Sequence, residues 1–183
     1  MKKRTAAQKL SEALLKLAEK KNIEKITIKE IVQECGLSSQ TFYNHFSDKY
    51  ALVLYIHQSA GEEMMQKLVC DETYTFRSFL MDNLTFYAEH SLFLLNVLKN
   101  TSGSDSYYIA SSEYGIQSLT DYIRNVYCVE ELSEEEKIHL RMYLYGCTEI
   151  CTNWVEQGMN IPAEHIADYL AEAIPSSLRP YLR

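Results

Sequence analysis

Apolar residues recur along this chain at three- and four-residue intervals and almost nowhere alternate strictly, a period that predicts helices and leaves little room for strands. Leu10, Leu14, Leu17 and Ala18 form one such face. Thr5 followed by Gln8 is a capping-box pattern, so the first helix is predicted to start there; Lys20, Lys21 and Asn22 suit its carboxyl end. Ile23 and Ile26 are expected to pack in the connection. A second capping box, Thr27 with Glu30, opens a short helix that turns Ile31, Val32 and Cys35 inward and stops at Gly36, where a left-handed residue is preferred. Leu37 follows, and Ser38 can cap a third helix about three residues after the second ends, the spacing of a helix-turn-helix.

On that third helix Phe42 and Phe46 stand at i and i+4 and are the expected buried pair, leaving Ser39, Gln40, Tyr43 and Asn44 on the other side. Hydroxyls and carboxamides pair with base edges, Tyr and Lys bond phosphate oxygens, and a helix amino terminus favours phosphate. From composition alone two readings of this face stay open: a solvated surface on a small bundle, or a surface laid in a major groove.

Beyond it, Asp48 can cap a fourth helix running through Leu52 and Leu54 or Tyr55 toward Met64, Met65 and Leu68. Phe76, Phe79, Leu80, Leu84 and Tyr87 share a broad face, SLFLLNVLKN is nearly all apolar, and both segments are expected in the core. TSGSDS, residues 101–106, reads as a loop. Residues 107–127 again have helical spacing, with Tyr108, Ile109, Ile116, Leu119, Ile123 and Val126 apolar. Ser133 and Glu136 form a third capping box before a long helix carrying Leu140, Leu144, Cys147, Cys151 and Trp154, whose small Gly146 and Cys147 allow close approach of another helix. Pro162 starts the last helix, where Ile166, Tyr169, Leu170 and Ile174 need a partner.

Composition adds a charge split. The net charge is −7, yet residues 1–50 hold ten basic against six acidic side chains, a net of +4, so the remainder carries −11. A small basic module that meets phosphate and a larger acidic one with another task fit this division. The chain of 183 residues has no unbroken apolar stretch of about 18 residues, so no membrane span and a cytoplasmic location are expected. Its five cysteines form no C-x-x-C pair, and its five histidines are scattered. With no H-E-x-x-H, G-x-S-x-G, P-loop or G-x-G-x-x-G, and with Ser102-Gly103-Ser104 lacking the lysine a phosphate loop needs, neither an enzyme, a metal nor a cofactor is expected.

Thr27 to Leu52, TIKEIVQECGLSSQTFYNHFSDKYAL, resembles the DNA-binding signature of the TetR family of bacterial transcription regulators, with Thr27, Ile31, Gly36, Ser38, Thr41, Tyr43, His45, Phe46, Lys49 and Leu52 in register. QTFYNHF is similar to the branch of that family typified by regulators of dihydroxyacetone kinase operons. Cys35 stands where a small Ala is usual and Gln40 where a small residue is frequent. The resemblance implies an all-α chain: a three-helix reader over residues 1–49, and a helical effector-binding and dimerisation domain over 50–183. It implies that Thr27, Thr41, Tyr43 and Lys49 hold the phosphate backbone while Ser39, Gln40 and His45 lie near base edges. Asn44 joins them on exposure, and Ser38 as the cap of the reading helix. The implied partners are a double-stranded, palindromic DNA operator and a second copy of the chain, joined through the two C-terminal helices; closure of the monomer's own core is the competing reading of those helices.

The effector, a small molecule or a protein, is unknown; Met81, Tyr87, His90, Phe93, Tyr108 and Trp154 are the candidates for an aromatic pocket, and plain core is the competing reading of each. A repressor released by its effector is the leading expectation. An activator driven by a partner protein, and a helical interaction module without DNA binding, are the alternatives.

Overall fold

The computed structural model describes residues 4–101 and 106–182, and every regular element among them is helical. Residues 102–105 of the expected loop, Ser102-Gly103-Ser104 included, lie outside the described residues, as do Lys2 and Lys3 of the basic segment. The elements are α1 (Ala6–Ala18), a 3-10 turn (Ile23–Lys25), α2 (Ile28–Cys35), α3 (Ser39–Tyr43), α4 (Lys49–Cys70), α5 (Phe76–Glu89), α6 (Ser91–Asn100), α7 (Tyr107–Tyr127), α8 (Glu134–Glu156) and α9 (Ala163–Glu172). No helix among the described residues is long and apolar enough to cross a membrane. Contacts divide the chain into two compact units, residues 1–59 with 90–107, and residues 60–89 with 108–183.

In the first unit, local chemistry fixes each helix start. Thr5 Oγ1 accepts from the Gln8 amide at 3.2 Å while Gln8 returns to the Thr5 amide at 3.0 Å, so the expected capping box begins α1. Its buried stripe is Ala7, Leu10, Ala13, Leu14 and Ala18, with Leu17 half-buried. Ile23 and Ile26 are sealed beneath the 3-10 turn. Thr27 and Glu30 cap α2 reciprocally, and Gly36 closes it at φ +69°, with the Leu37 amide returning to Val32 O at 2.8 Å. A left-handed residue there costs glycine nothing and satisfies a carbonyl the helix leaves unpaired.

One chain segment far from the reader in sequence also belongs to this unit. Helix α6 packs against α1 and the 3-10 turn, burying Phe93, Leu94 and Val97. The expectation of an all-round core helix is corrected at Leu92, which is 59% exposed. Asn96 and Asn100, one turn apart, face the end of α1 and the turn, where Asn96 Nδ2 donates to Ala18 O at 2.9 Å and Lys21 O at 2.7 Å.

The second unit is closed by α5, which packs along α9 and against α8. Phe76, Leu80, Leu84 and Tyr87 of α5 are buried, as are Leu140, Tyr143, Cys147, Cys151 and Trp154 of α8. Burial lifts the Cys147 thiol to about 12 and raises Cys151 further, which leaves both as inert packing groups. Tyr143 donates to Leu170 O at 2.8 Å and Trp154 Nε1 to Ile161 O at 2.7 Å, fastening α9 and its approach to α8. The third capping box, Ser133 with Glu136, forms as expected. On α9, Ile166 and Leu170 are buried and Ile174 just beyond its end is too, but Tyr169 is 59% exposed. A tail with no helical period finishes the unit, burying Leu178 and Leu182 while Tyr181 donates to Glu136 at 2.9 Å.

Candidate nucleic-acid interface

α3 is five residues long, too short to persist by its own hydrogen bonds, so its position depends on what anchors it. Phe42 is fully buried and packs in the angle made by α1 and α2. Phe46 is buried too, with its ring 5.8 Å from that of Phe42, but it lies beyond the helix, which ends at Tyr43. The Phe46 amide still reaches Phe42 O at 2.9 Å, so the i, i+4 pairing expected from the sequence survives in a turn that continues the helix. At the other end Ser38 Oγ accepts from the Thr41 amide at 3.1 Å and lies 2.9 Å from Thr41 Oγ1.

With Phe42 held inward, geometry leaves Ser39, Gln40, Tyr43, Asn44 and His45 exposed on one surface. Tyr43 is 57% exposed, and its ring meets Phe42 edge-on at 5.6 Å, which steadies the phenol without consuming its hydroxyl. Gln40 Nε2 donates to Asn44 Oδ1 at 3.0 Å across one turn. His45 stands beside Phe46 with its ring centroid 6.1 Å away. The face thus presents hydroxyl, carboxamide, phenol and imidazole groups, whose donors and acceptors can meet both base edges and phosphate oxygens.

Thr27, at the start of α2, is exposed, and its hydroxyl donates to Glu30 Oε2 at 2.9 Å. Lys21 lies 2.6 Å from the other Glu30 oxygen; this ion pair first, and the Thr27 amide and hydroxyl next, hold the Glu30 carboxyl down at about 2. Lys49 is the least expected member of the set. Its ammonium donates to the main-chain carbonyls of Glu24 at 2.7 Å and Ile26 at 3.1 Å, closing the 3-10 turn just before Thr27. Partial burial lowers its pKa, opposed by Glu24.

The six aromatic-pocket candidates divide between the units: His90 and Phe93 fall in the first, Met81, Tyr87, Tyr108 and Trp154 in the second. Tyr87, Phe93 and Trp154 are buried, and Met81, His90 and Tyr108 half-buried, with the Tyr108 hydroxyl 3.3 Å from Tyr145 O. Two surface clefts among the described residues, one beside Lys9, Glu12 and Glu34 and one beside Arg124, Glu130 and Lys137, contain none of the six. Sequence reasoning missed Asn96 altogether; its only visible signal was a carboxamide pair, Asn96 and Asn100, inside an otherwise apolar run.

The profile described as "Bacterial regulatory proteins, tetR family" matches residues 10–56, and that described as "Transcriptional regulator C-terminal region" matches residues 74–176. Among solved structures the chain is similar to the dihydroxyacetone kinase operon activator DhaS, with 16% identity, 97% of this chain and 98% of that one covered, and a TM-score of 0.66. A TetR transcriptional regulator from Rhodococcus sp. RHA1 gives 12%, 96%, 97% and 0.64 for the same quantities. The fatty acid degradation regulator FadR from Bacillus halodurans gives 14%, 98%, 99% and 0.63. No curated protein matches the chain. At such identities the structural likeness speaks to fold, while the profiles speak to family: the chain belongs to the TetR family of transcription regulators and carries that family's helix-turn-helix DNA-binding fold.

Proposed function

We propose that the protein is a cytoplasmic repressor that binds a palindromic DNA operator as a homodimer and leaves it when an effector binds. The observation that carries this reading is the α3 face, where Ser39, Gln40, Tyr43 and Asn44 are exposed while Phe42 locks the helix in place. Gln40 and Asn44, with Ser39 and His45, read base edges; Thr27, Thr41 and Tyr43 hold phosphates, and Ser38 caps the helix that presents them. Lys49 serves the backbone contact by holding the turn before Thr27. Reading falls to residues 1–49, regulation and dimerisation to 50–183.

One helix-turn-helix makes few contacts, and two copies about a two-fold axis multiply them over a palindrome. An exposed apolar row on α8 supports such a pairing: Ile138, Met142 and Ile150 are 57%, 68% and 47% exposed, with Gly146 completing the row at four-residue intervals. A Cβ at Gly146 would meet nothing within 4 Å, so there is free space for a partner helix. Tyr169 of α9, the second C-terminal helix, is also exposed.

Release is conformational: an effector lowers operator affinity by as much as it favours the non-binding state over the binding one. Met81, Tyr87, Tyr108 and Trp154 are the candidates that share one unit, and His90 and Phe93 remain candidates on the other. The fold of DhaS, an operon activator by its name, supports a second reading in which the same dimer raises transcription with a protein partner.

The test is anisotropy binding to the intergenic DNA beside the protein's own gene over a salt series, with Tyr43→Ala as control, followed by transcription from that DNA in vitro. Tight binding that weakens steeply with salt and is lost in the variant supports the DNA reading, and a fall in transcript supports repression. Binding no better than to random DNA, unchanged by the substitution, overturns it in favour of an interaction module; a rise in transcript replaces repressor with activator.

A further inference from the structure

Asn96 sits on α6, more than forty residues beyond the helix-turn-helix, yet three of its carboxamide's four bonds point back to the reader. Its Oδ1 accepts from the Ile23 amide at 2.9 Å and from Asn100 Nδ2 at 3.2 Å. Its Nδ2 donates to Ala18 O at 2.9 Å and Lys21 O at 2.7 Å. Two donated and two accepted bonds exhaust the hydrogen atoms and lone pairs of the group. The orientation is fixed by its partners, since the two carbonyls require a donor and the Ile23 amide requires an acceptor. Ala18 O is the carbonyl of the last residue of α1 and Lys21 O lies in the turn that follows, so Asn96 completes that terminus from outside.

A second carboxamide braces the first. Asn100 Nδ2 also donates to Asn96 O at 2.7 Å, and Asn100 Oδ1 accepts from Asn22 Nδ2 at 2.7 Å. Asn22 in turn caps the 3-10 turn by accepting from the Glu24 amide at 2.8 Å. The far end of that turn is held by Lys49 through Glu24 O and Ile26 O, and the next residue is Thr27, the cap of α2. A continuous set of polar bonds therefore runs from α6, through one turn of backbone, to Ile26, the residue before the helix-turn-helix, and to the first residue of α4.

We propose that Asn96 is a positioning residue for DNA recognition: it clamps α6 to the end of α1 and the 3-10 turn, so that α6 acts as a further helix of the reading head and its placement sets that of α2 and α3. This rests on the DNA-binding reading above. Asn96 touches no base or phosphate; it determines how well the surface of α3 is presented. Whatever moves α6 moves the turn, and whatever orders the reader on DNA tightens α6, because a coupling of this kind acts equally in both directions.

The decisive comparison is Asn96→Asp beside Asn96→Ala in the full chain. Aspartate keeps the volume and the acceptor for Ile23 but turns a lone pair toward Ala18 O and Lys21 O, where a donor is needed. A residue that only filled space would tolerate aspartate; the clamp requires it to be at least as damaging as alanine. The probe is the duplex that the wild-type protein selects from a random library, and the second readout is amide hydrogen exchange with and without it.

Both variants are expected to lose roughly tenfold in affinity for that duplex, with base preference and salt slope unchanged. Ile23 is expected to exchange faster in the alanine variant. In the wild type, DNA should slow exchange along α6, and in both variants that protection should be lost. Affinity within about twofold of wild type for both variants, or protection of α6 by DNA in the variants as in the wild type, overturns the proposal. So does a changed base preference, which would mark a direct contact. Should the Asn96 variants fail to fold, Asn22→Ala removes the bond to Asn100 together with the cap on Glu24 and leaves the four bonds of Asn96 in place: a loss of about threefold is expected, and no loss overturns the clamp. A wild type that selects no sequence overturns the DNA reading itself, and the proposal with it.

Discussion

The carboxamide of Gln40 donates to that of Asn44 at 3.0 Å, one turn along the exposed face of α3. The bond uses one Nε2 hydrogen of Gln40 and leaves Gln40 Oε1, its second Nε2 hydrogen and both Asn44 Nδ2 hydrogens on two exposed residues for a further partner. A donor and an acceptor side by side are what an adenine edge takes up in the major groove. Gln40→Ala and Asn44→Ala are each expected to change which bases are preferred, and the double variant to fall short of the summed losses by roughly 1 kcal/mol, as interacting neighbours do. Binding-site selection on all four proteins checks both points; additive losses would mean that the two amides read independently.

Lys49 carries a different expectation from that of an ordinary phosphate-binding lysine. Two charge-assisted bonds hold the carbonyls of Glu24 and Ile26, and these are lost in Lys49→Met. Removal should destabilise the fold by about 1–2 kcal/mol, read as a lower urea midpoint with unchanged slope. Operator affinity should fall as well, through misplacement of Thr27. Undiminished stability with weakened binding would return Lys49 to a purely phosphate-contacting role.

Stability should also depend on pH through His57. His57 is half-buried on α4, with Nδ1 3.1 Å from the Tyr107 hydroxyl, and the desolvation of its ring pushes its pKa down to about 4. An unfolded histidine titrates near 6.5, so between about pH 6.5 and 4 the unfolded chain takes up a proton that the folded chain resists. Stability is therefore unaffected by this group above that range, declines as pH falls through it by roughly 3 kcal/mol, and is level below. Urea titrations from pH 8 to 4, compared with His57→Gln, test this: the variant should lose the descending segment, and an unchanged profile would assign it to other groups.

Met142 tests the pairing of copies. At 68% exposed on α8 it supports little of the monomer, so Met142→Glu should change subunit stability by no more than about 0.5 kcal/mol. A carboxylate introduced into an apolar helix contact should nevertheless dissociate the dimer, and with it the binding of a full palindrome while half-site affinity persists. Sedimentation at several concentrations gives the answer. A dimer that survives unchanged would place the interface elsewhere.

What the sequence made legible was local. All three capping boxes, the left-handed stop at Gly36 and the bounds of α7 follow from residues close in sequence, and they appear as expected. The buried positions of α3 were equally readable, because Phe42 and Phe46 obey a helical interval whether or not the helix formally continues to the second ring. Periodicity shows which face of a helix is apolar but not what covers it. Leu92, Ile109, Val126 and Tyr169 are apolar or aromatic positions at helical spacing that stay exposed, and Leu178 and Leu182 are buried in a tail with no helical period. The roles of Lys49 and Asn96 depend on backbone carbonyls brought close by tertiary packing, and a side chain's type does not reveal such partners.

The shortness of α3 has a consequence for how such a protein diverges. Five residues, anchored from inside by Phe42 and capped by Ser38, present an outward surface whose side chains contribute almost nothing to keeping the helix in place. Ser39, Gln40, Tyr43 and Asn44 are thus exchangeable one at a time without passing through unfolded sequences. A duplicated copy of this chain can acquire a new target in single steps, each intermediate still folded, while the clamp behind the reader and the helices beyond it stay as they are.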